Sequence, residues 1–237
     1  MDLLFGTTNP GKLRELRRLV ADLPIRVVSP EDLGRALPEV EEDGATFREN
    51  AEKKAREWAA WAGVHALADD SGLCVDALDG APGVLSARWS ELDPGPAPAS
   101  PVCELAEAAA AELGPAAGRA ARDERNNDKL LRLLAGVPDE RRGGRYEAVI
   151  AVAAPDGRIV ASVTGTCPGR IGHARRGAGG FGYDPLFVPE AERERAEAEG
   201  RPAQTMAELA PVEKDALSHR GEAFREARPA LAKLATP

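Results

Sequence analysis

Cysteine, histidine and long apolar runs are all scarce in this chain of 237 residues. The three cysteines, Cys74, Cys103 and Cys167, form no close pair; that excludes a disulfide framework and gives no zinc spacing. The three histidines, His65, His173 and His219, are too scattered for a histidine metal site. No apolar run approaches the roughly 18 residues of a membrane span, so no membrane partner is expected. Lys12 and Arg14 follow residues 1–5 so closely that no secretory apolar region can be drawn, and a cytoplasmic location is expected. Basic charge is also in deficit, with 31 Lys and Arg against 39 Asp and Glu and a net charge of −8. Such a chain has no electrostatic footprint for nucleic acid, although a local basic cluster can still take a small anion. What is present, 43% hydrophobic and 30% charged residues, is ordinary for a folded chain long enough to bury a core.

Residues 2–6 form an apolar run that predicts a buried strand. It stops at Gly6-Thr7-Thr8-Asn9-Pro10-Gly11-Lys12, and a helix follows with Leu13, Leu16, Leu19 and Val20 on one face. Asn9 suits the N-cap and Pro10 the first helical position. A second strand is expected at 25–28. Thr46-Phe47-Arg48-Glu49 has the form of a capping box and opens a second helix, with Phe47, Ala51, Ala55, Trp58 and Ala62 as its apolar stripe. Asp69-Asp70-Ser71-Gly72 then interrupts an apolar stretch and reads as a strand end aimed at something. Residues 93–122, rich in proline, alanine and glycine, read as an insertion with room for a short helix at 102–113. A helix resumes near Asp123. Residues 145–154 and 158–166 read as two strands joined by Pro155-Asp156-Gly157 in a hairpin. Residues 190–199 predict a charged, solvated helix, and 221–234 a closing one.

Several short motifs carry chemistry, each beside a plainer reading. Gly6 to Lys12 fits the start of a P-loop, but Leu13 stands where the magnesium-binding hydroxyl belongs. Amides at a helix start next to a lysine still favour phosphate, while the plain alternative is a capped strand–helix turn. The glycines from Gly177 to Gly182 match a dinucleotide fingerprint only weakly, because no strand precedes them and Asp184-Pro185 blocks a helix after them. Asp69 and Asp70 are adjacent, so alternation on a strand sends them to opposite faces and places only one in a given site. With Glu42, from the acidic run Glu41-Glu42-Asp43, a carboxylate pair for Mg²⁺ is available; a solvated loop is the plain alternative. Lys214 and Ser218 share a face if helical, and His219 and Arg220 follow, unless they merely answer a helix dipole. Ser71 and His219 make no hydrolase triad, since a G-x-S-x-G elbow is lacking.

Taken together, Thr7 to Lys12, Glu42-Asp43-Gly44-Ala45-Thr46-Phe47, Glu49-Asn50-Ala51 with Lys54, Ala68-Asp69-Asp70-Ser71-Gly72-Leu73, Gly80-Ala81-Pro82-Gly83, Ser86-Ala87-Arg88, Gly179 to Asp184, and Lys214 with Ser218-His219-Arg220-Gly221 resemble the inosine triphosphate pyrophosphatase family. These are the dITP/XTP pyrophosphatases, and the pieces occur in family order over nearly the whole chain. The resemblance implies a single α/β domain over 1–237, with a long twisted mixed β-sheet flanked by helices, in a homodimer. It implies Mg²⁺-dependent hydrolysis of ITP, dITP and XTP to the monophosphate and pyrophosphate. Glu42 and Asp70 would hold the metal, and Asp70 would be the catalytic carboxylate. Thr7, Thr8, Asn9, Pro10, Gly11, Lys12, Lys54 and Ser71 would contact the nucleoside triphosphate. Phe181, Gly182, Tyr183 and Asp184 would hold the base, and Lys214, His219 and Arg220 would complete the pocket. Two departures stand out: the stretch 93–122 and an extended 190–204. The alternatives are a Maf-type nucleotide pyrophosphatase, whose N-terminal Ser- and Arg-containing motif is absent here, and a catalytically silent nucleotide-binding module.

Overall fold

The computed structural model of the chain describes residues 1–7, 10–92 and 115–235. In chain order the main elements are β1 (Asp2–Phe5), α1 (Pro10–Leu19), β2 (Arg26–Val28), α2 (Phe47–Ala62), β3 (His65–Val75), α3 (Trp89–Leu92), α4 (Pro115–Leu133), β4 (Gly143–Ala153), β5 (Ile159–Ile171), β6 (Phe187–Pro189), α5 (Glu190–Ala198), α6 (Pro211–Leu217) and α7 (His219–Ala235). The strands form one six-stranded mixed sheet in the order β2-β1-β3-β4-β5-β6. β1 pairs in parallel with β2 and with β3, whereas β5 and β6 are antiparallel. The expected α/β architecture is therefore present.

The chain divides into two compact units, and β3, β4 and β5 contribute residues to both. Unit 1 comprises residues 1–71, 147–166 and 218–237. Its core is built from Leu3 and Phe5 of β1, Leu16 of α1, Leu67 of β3, alternate residues Ala148, Ile150 and Val152 of β4, and one face of α7. The α7 face uses Ala223, Phe224, Ala227 and Leu231, the three-and-four spacing that brings side chains onto one side of a helix. Unit 2 comprises residues 72–146 and 167–217. Its core gathers Leu73, Val75, Trp89, Leu130, Leu134, Tyr146, Phe187 and Met206, among others. The rings of Tyr146 and Phe187 meet at 4.6 Å with a 59° tilt, within the range of favourable edge-on contact.

Local chemistry explains the element ends. At α2, Thr46 accepts from the Glu49 amide at 3.2 Å, and the Glu49 carboxylate accepts from the Thr46 amide at 3.1 Å. This is the expected capping box, and Gly63 closes the helix in the left-handed conformation at φ 71°. Gly6, just after β1, has a steric role: a Cβ there would lie 2.0 Å from the Trp58 ring of α2. In unit 2, buried Arg142 donates to the carbonyls of Ile171, Leu134 and Gly172, all at 2.8 Å. One of these follows the last turn of α4, so the guanidinium acts as a C-terminal cap.

Four sequence expectations need correction. The helix expected from Asp123 begins at Pro115, because proline suits a first turn and alanine favours helix; residues 115–122 of the presumed insertion are thus helical. The short helix at 102–113 and the Asn9 N-cap lie outside the described residues. Asp69 to Gly72 do not end a strand but lie inside β3. The helix at 190–198 is not simply solvated, since Glu192 is fully buried and bound by Arg195 and Arg201. Those two arginines hold the carboxyl down at about 2, the hydrogen bond from Arg201 leading. Lys214 and Ser218 do not share a helix, because α6 ends at Leu217 and α7 begins at His219.

Candidate active site

The chemistry-bearing side chains of unit 1 converge on the middle of β3. Lys12 reaches there from the first turns of α1, beyond the strand–loop–helix turn; its ammonium donates to both oxygens of Asp69, at 3.0 and 2.8 Å. Arg220, in the first turn of α7, donates from Nε to the same carboxylate at 3.1 Å and from Nη2 to the Ser71 hydroxyl at 3.0 Å. Ser218 fixes that turn, because its hydroxyl accepts from the Gly221 amide at 2.9 Å in the manner of an N-cap. His219 is buried beside it.

On the next residue the partners change. Lys54 of α2 donates to Asp70 at 2.8 Å and to Glu42 at 2.7 Å, while Asn50, one turn earlier, donates to Asp70 at 3.4 Å. The buried face of α2 thus carries two polar residues, Asn50 and Lys54, among its apolar ones. That interruption delivers an amide and an ammonium to Asp70. Alternation along β3 does give the two aspartates separate hydrogen-bond partners. They nevertheless belong to one charge cluster, since Lys54 also acts on Asp69 electrostatically.

The electrostatics of the neighbours differ accordingly. Burial alone would raise the Asp69 carboxyl, but Lys12, Arg220 and Lys54 overcome it and hold it well below the usual carboxylate range. Asp70 goes the other way: burial pushes it up and Lys54 offsets only part of that rise. Lys54 itself is raised, because Asp70, Glu42 and Asp69 together overcome its desolvation. Burial lowers Lys12 in spite of Asp69. One carboxylate is therefore locked as an anion that orders two cations, and its neighbour is the more easily protonated.

Unit 2 carries a second group. Asp184 accepts from the Phe181 amide at 2.8 Å and from the Lys214 ammonium at 2.5 Å. Lys214 also stands 4.8 Å from the centroid of the Phe181 ring, a cation–π separation. Phe181 is 36% exposed, which leaves ring surface for a flat ligand. Tyr183 is a core residue whose hydroxyl donates to the Ser86 carbonyl at 3.0 Å.

With this geometry in place, the comparison with known families is decisive. The sequence profile of the Ham1 family matches residues 3–112 and 105–230. The chain belongs to the Ham1 family. A dITP/XTP pyrophosphatase of Anaeromyxobacter dehalogenans (strain 2CP-C) is 75% identical over 235 residues, covering 99% of each chain. Another, of Nocardia farcinica (strain IFM 10152), is 43% identical and covers 98% of this chain and 96% of its own. Among solved structures, a HAM1 protein from Coxiella burnetii superposes with a TM-score of 0.74 at 31% identity, covering 98% of this chain and 99% of that one.

Within this Ham1-family fold, unit 1 brings together Lys12, Glu42, Lys54, Asp70, Ser71 and Arg220. Thr7 and Gly11 flank the turn, with the Thr7 amide donating to the Phe5 carbonyl at 2.8 Å, and Pro10 opens α1. Thr8 and Asn9 lie outside the described residues. Two contributors had no assigned role in the sequence reading: Asn50 and Asp69. The helical spacing of Asn50 with Lys54 was the available signal for the first. Nothing local could reveal that Asp69 meets an arginine 151 residues away.

Proposed function

We infer that the protein hydrolyses non-canonical purine nucleoside triphosphates, dITP, XTP and ITP, to the monophosphate and pyrophosphate. The observation that carries this reading, beside family membership, is the cluster of Lys12, Lys54 and Arg220 around Asp69, Asp70 and Glu42. Three cations face three carboxylates, so the cluster carries little net charge of its own. A triphosphate brings several negative charges, and such a site accommodates them best together with a divalent cation.

This reading takes the ion to be Mg²⁺, bound by two carboxylates and the substrate's phosphates, since among the described residues no group of three or more His, Cys, Asp or Glu gathers as a metal cage. Glu42 and Asp70 offer hard carboxylate oxygens, and both lie within hydrogen-bond reach of the single Lys54 ammonium, so they already converge on a positive charge. These two residues would hold the ion, which when bound would polarise phosphate oxygens and offset charge on the leaving pyrophosphate. Lys12, Arg220 and the amides at the start of α1 would bind and orient the phosphates. Asp70 would also orient or deprotonate the attacking water as the bond between the α- and β-phosphates breaks. Phe181 would stack on the purine, and Lys214 and Asp184 would bear on its edge. A homodimer is the expected assembly.

Pyrophosphate release from dITP, XTP, ITP, ATP, GTP and dTTP, with Mg²⁺ and then with excess chelator, tests the reading. Rapid turnover of the first three, abolished by the chelator, is expected. Equal turnover of all six, or release of orthophosphate, would overturn the substrate assignment. Retained activity in chelator would overturn the metal assignment.

A further inference from the structure

Gly182 is held at both ends of its backbone by one helix. Its amide donates to the Asp123 carboxylate at 2.8 Å, and its carbonyl accepts from the Asn127 side-chain amide at 2.9 Å. Asp123 and Asn127 are four residues apart on α4 and therefore share a face. Asn127 is 1% exposed, and burial raises the Asp123 carboxyl even though the Gly182 amide opposes the rise. Gly182 itself has φ +63° with open space where a Cβ would stand. Its neighbours do not dictate that left-handed conformation by crowding. Asp123 and Asn127 hold the backbone of that left-handed residue at its amide and its carbonyl. On either side lie Phe181, with its partly exposed ring, and Asp184, which accepts from both the Phe181 amide and Lys214.

We propose that Asp123 and Asn127 are positioning residues for base recognition: they clamp Gly182 from α4 and so fix the angle at which Phe181 and Asp184 meet the purine. The proposal rests on the reading that residues 181–184 contact the base. A flexible loop loses conformational entropy on ordering around a ligand, whereas a clamped one has lost it already. The clamp therefore acts on KM and on discrimination between bases. The phosphate chemistry of unit 1 uses neither residue.

The test uses the full chain and steady-state kinetics on ITP and ATP. Losing either hydrogen bond, in Asp123→Ala or Asn127→Ala, is expected to raise KM for ITP roughly five- to tenfold and to narrow the ITP-to-ATP ratio of kcat/KM. Turnover at saturation should stay within about twofold of the parent, because no phosphate contact is touched. Hydrogen exchange of the Gly182 amide should accelerate in Asp123→Ala. Two shape-preserving variants have opposite expected outcomes and carry the test if the alanine variants do not fold. Asp123→Asn retains an oxygen that accepts from Gly182 and should restore KM. Asn127→Asp has no N–H, turns an oxygen onto the Gly182 carbonyl, and should not. Unchanged KM and base ratio in Asp123→Ala, Asn127→Ala and Asn127→Asp would overturn the proposal. Phe181→Ala separates the two failures: if it too leaves both quantities unchanged, the assignment of the purine to this loop fails, and the clamp's role in recognition fails with it.

Discussion

Asp69→Asn gives the sharpest quantitative test of the charge cluster. The substitution keeps the side chain's shape and one oxygen acceptor, and removes the charge that Lys12 and Arg220 share. Arg220 is 3% exposed, so its side of the pair is deeply desolvated, while Lys12 retains some contact with solvent. Removing one partner of a buried pair costs about 3–5 kcal/mol, and the partial exposure of Lys12 argues for the lower end, about 3 kcal/mol. For a chain of this size that corresponds to a fall of about 6–12 °C in the melting midpoint. The pH dependence follows from the depressed folded-state pKa of Asp69. Stability from such a group is fully present above the unfolded value of about 3.9 and is lost as the pH falls towards the lower folded value. The gap between wild type and Asp69→Asn should therefore be constant from pH 8 to 5 and narrow below about pH 4. Thermal melts at pH 7 measure the shift, and urea unfolding at a series of pH values measures the gap. A midpoint shift under about 2 °C at pH 7, or a gap that widens in acid, would refute the reasoning.

Other outcomes follow from single contacts. Lys54→Met removes the cation that holds Asp70 down, so the acid limb of the kcat/KM profile should move to higher pH as turnover falls. A limb that stays in place would mean that Asp70 is not the titrating group. Thr46→Ala breaks the capping box and should cost about 1 kcal/mol, read as a lower urea midpoint with activity per folded molecule unchanged. Arg142→Ala removes a donor from the carbonyls of Ile171, Leu134 and Gly172, of which Leu134 keeps the Val137 amide at 3.1 Å. At about 1–3 kcal/mol for a buried group left unpaired the loss should still exceed that of Thr46→Ala. Arg142→Lys should recover only part of it, since an ammonium lacks the planar fork.

What could be read from the sequence was local. The capping box at Thr46, the run into the turn at Gly6, the hairpin around Asp156 and the closing helix all depend on residues within a few positions of one another, and all are present. Chain-distant pairing was invisible. Alternation correctly separated the partners of Asp69 and Asp70, yet it could not show Lys12, Lys54 and Arg220 arriving from three helices to join them. Composition misled at 190–198, where Glu and Arg read as solvated although Arg201 folds back onto Glu192. It misled again at 115–122, where a stretch that resembled an excursion is the start of α4. Asp123 and Asn127 had no legible role, because a polar residue on a helix takes its meaning from the loop packed against it.

The contact between Gly6 and Trp58 bears on how mutational tolerance in the turn after β1 is interpreted. Intolerance at a glycine preceding a phosphate-binding helix is usually credited to the ligand's need to approach the backbone. Here the ring of an α2 tryptophan already occupies the space, so even alanine would collide before any nucleotide arrived. A deep mutational scan should find Gly6 intolerant when scored for abundance as well as for activity. Shrinking Trp58 should relax that intolerance, making the two positions a compensating pair. Sequence drift at Gly6 in distant relatives would then report on the size of the residue opposite it, and would say nothing about whether phosphate is bound.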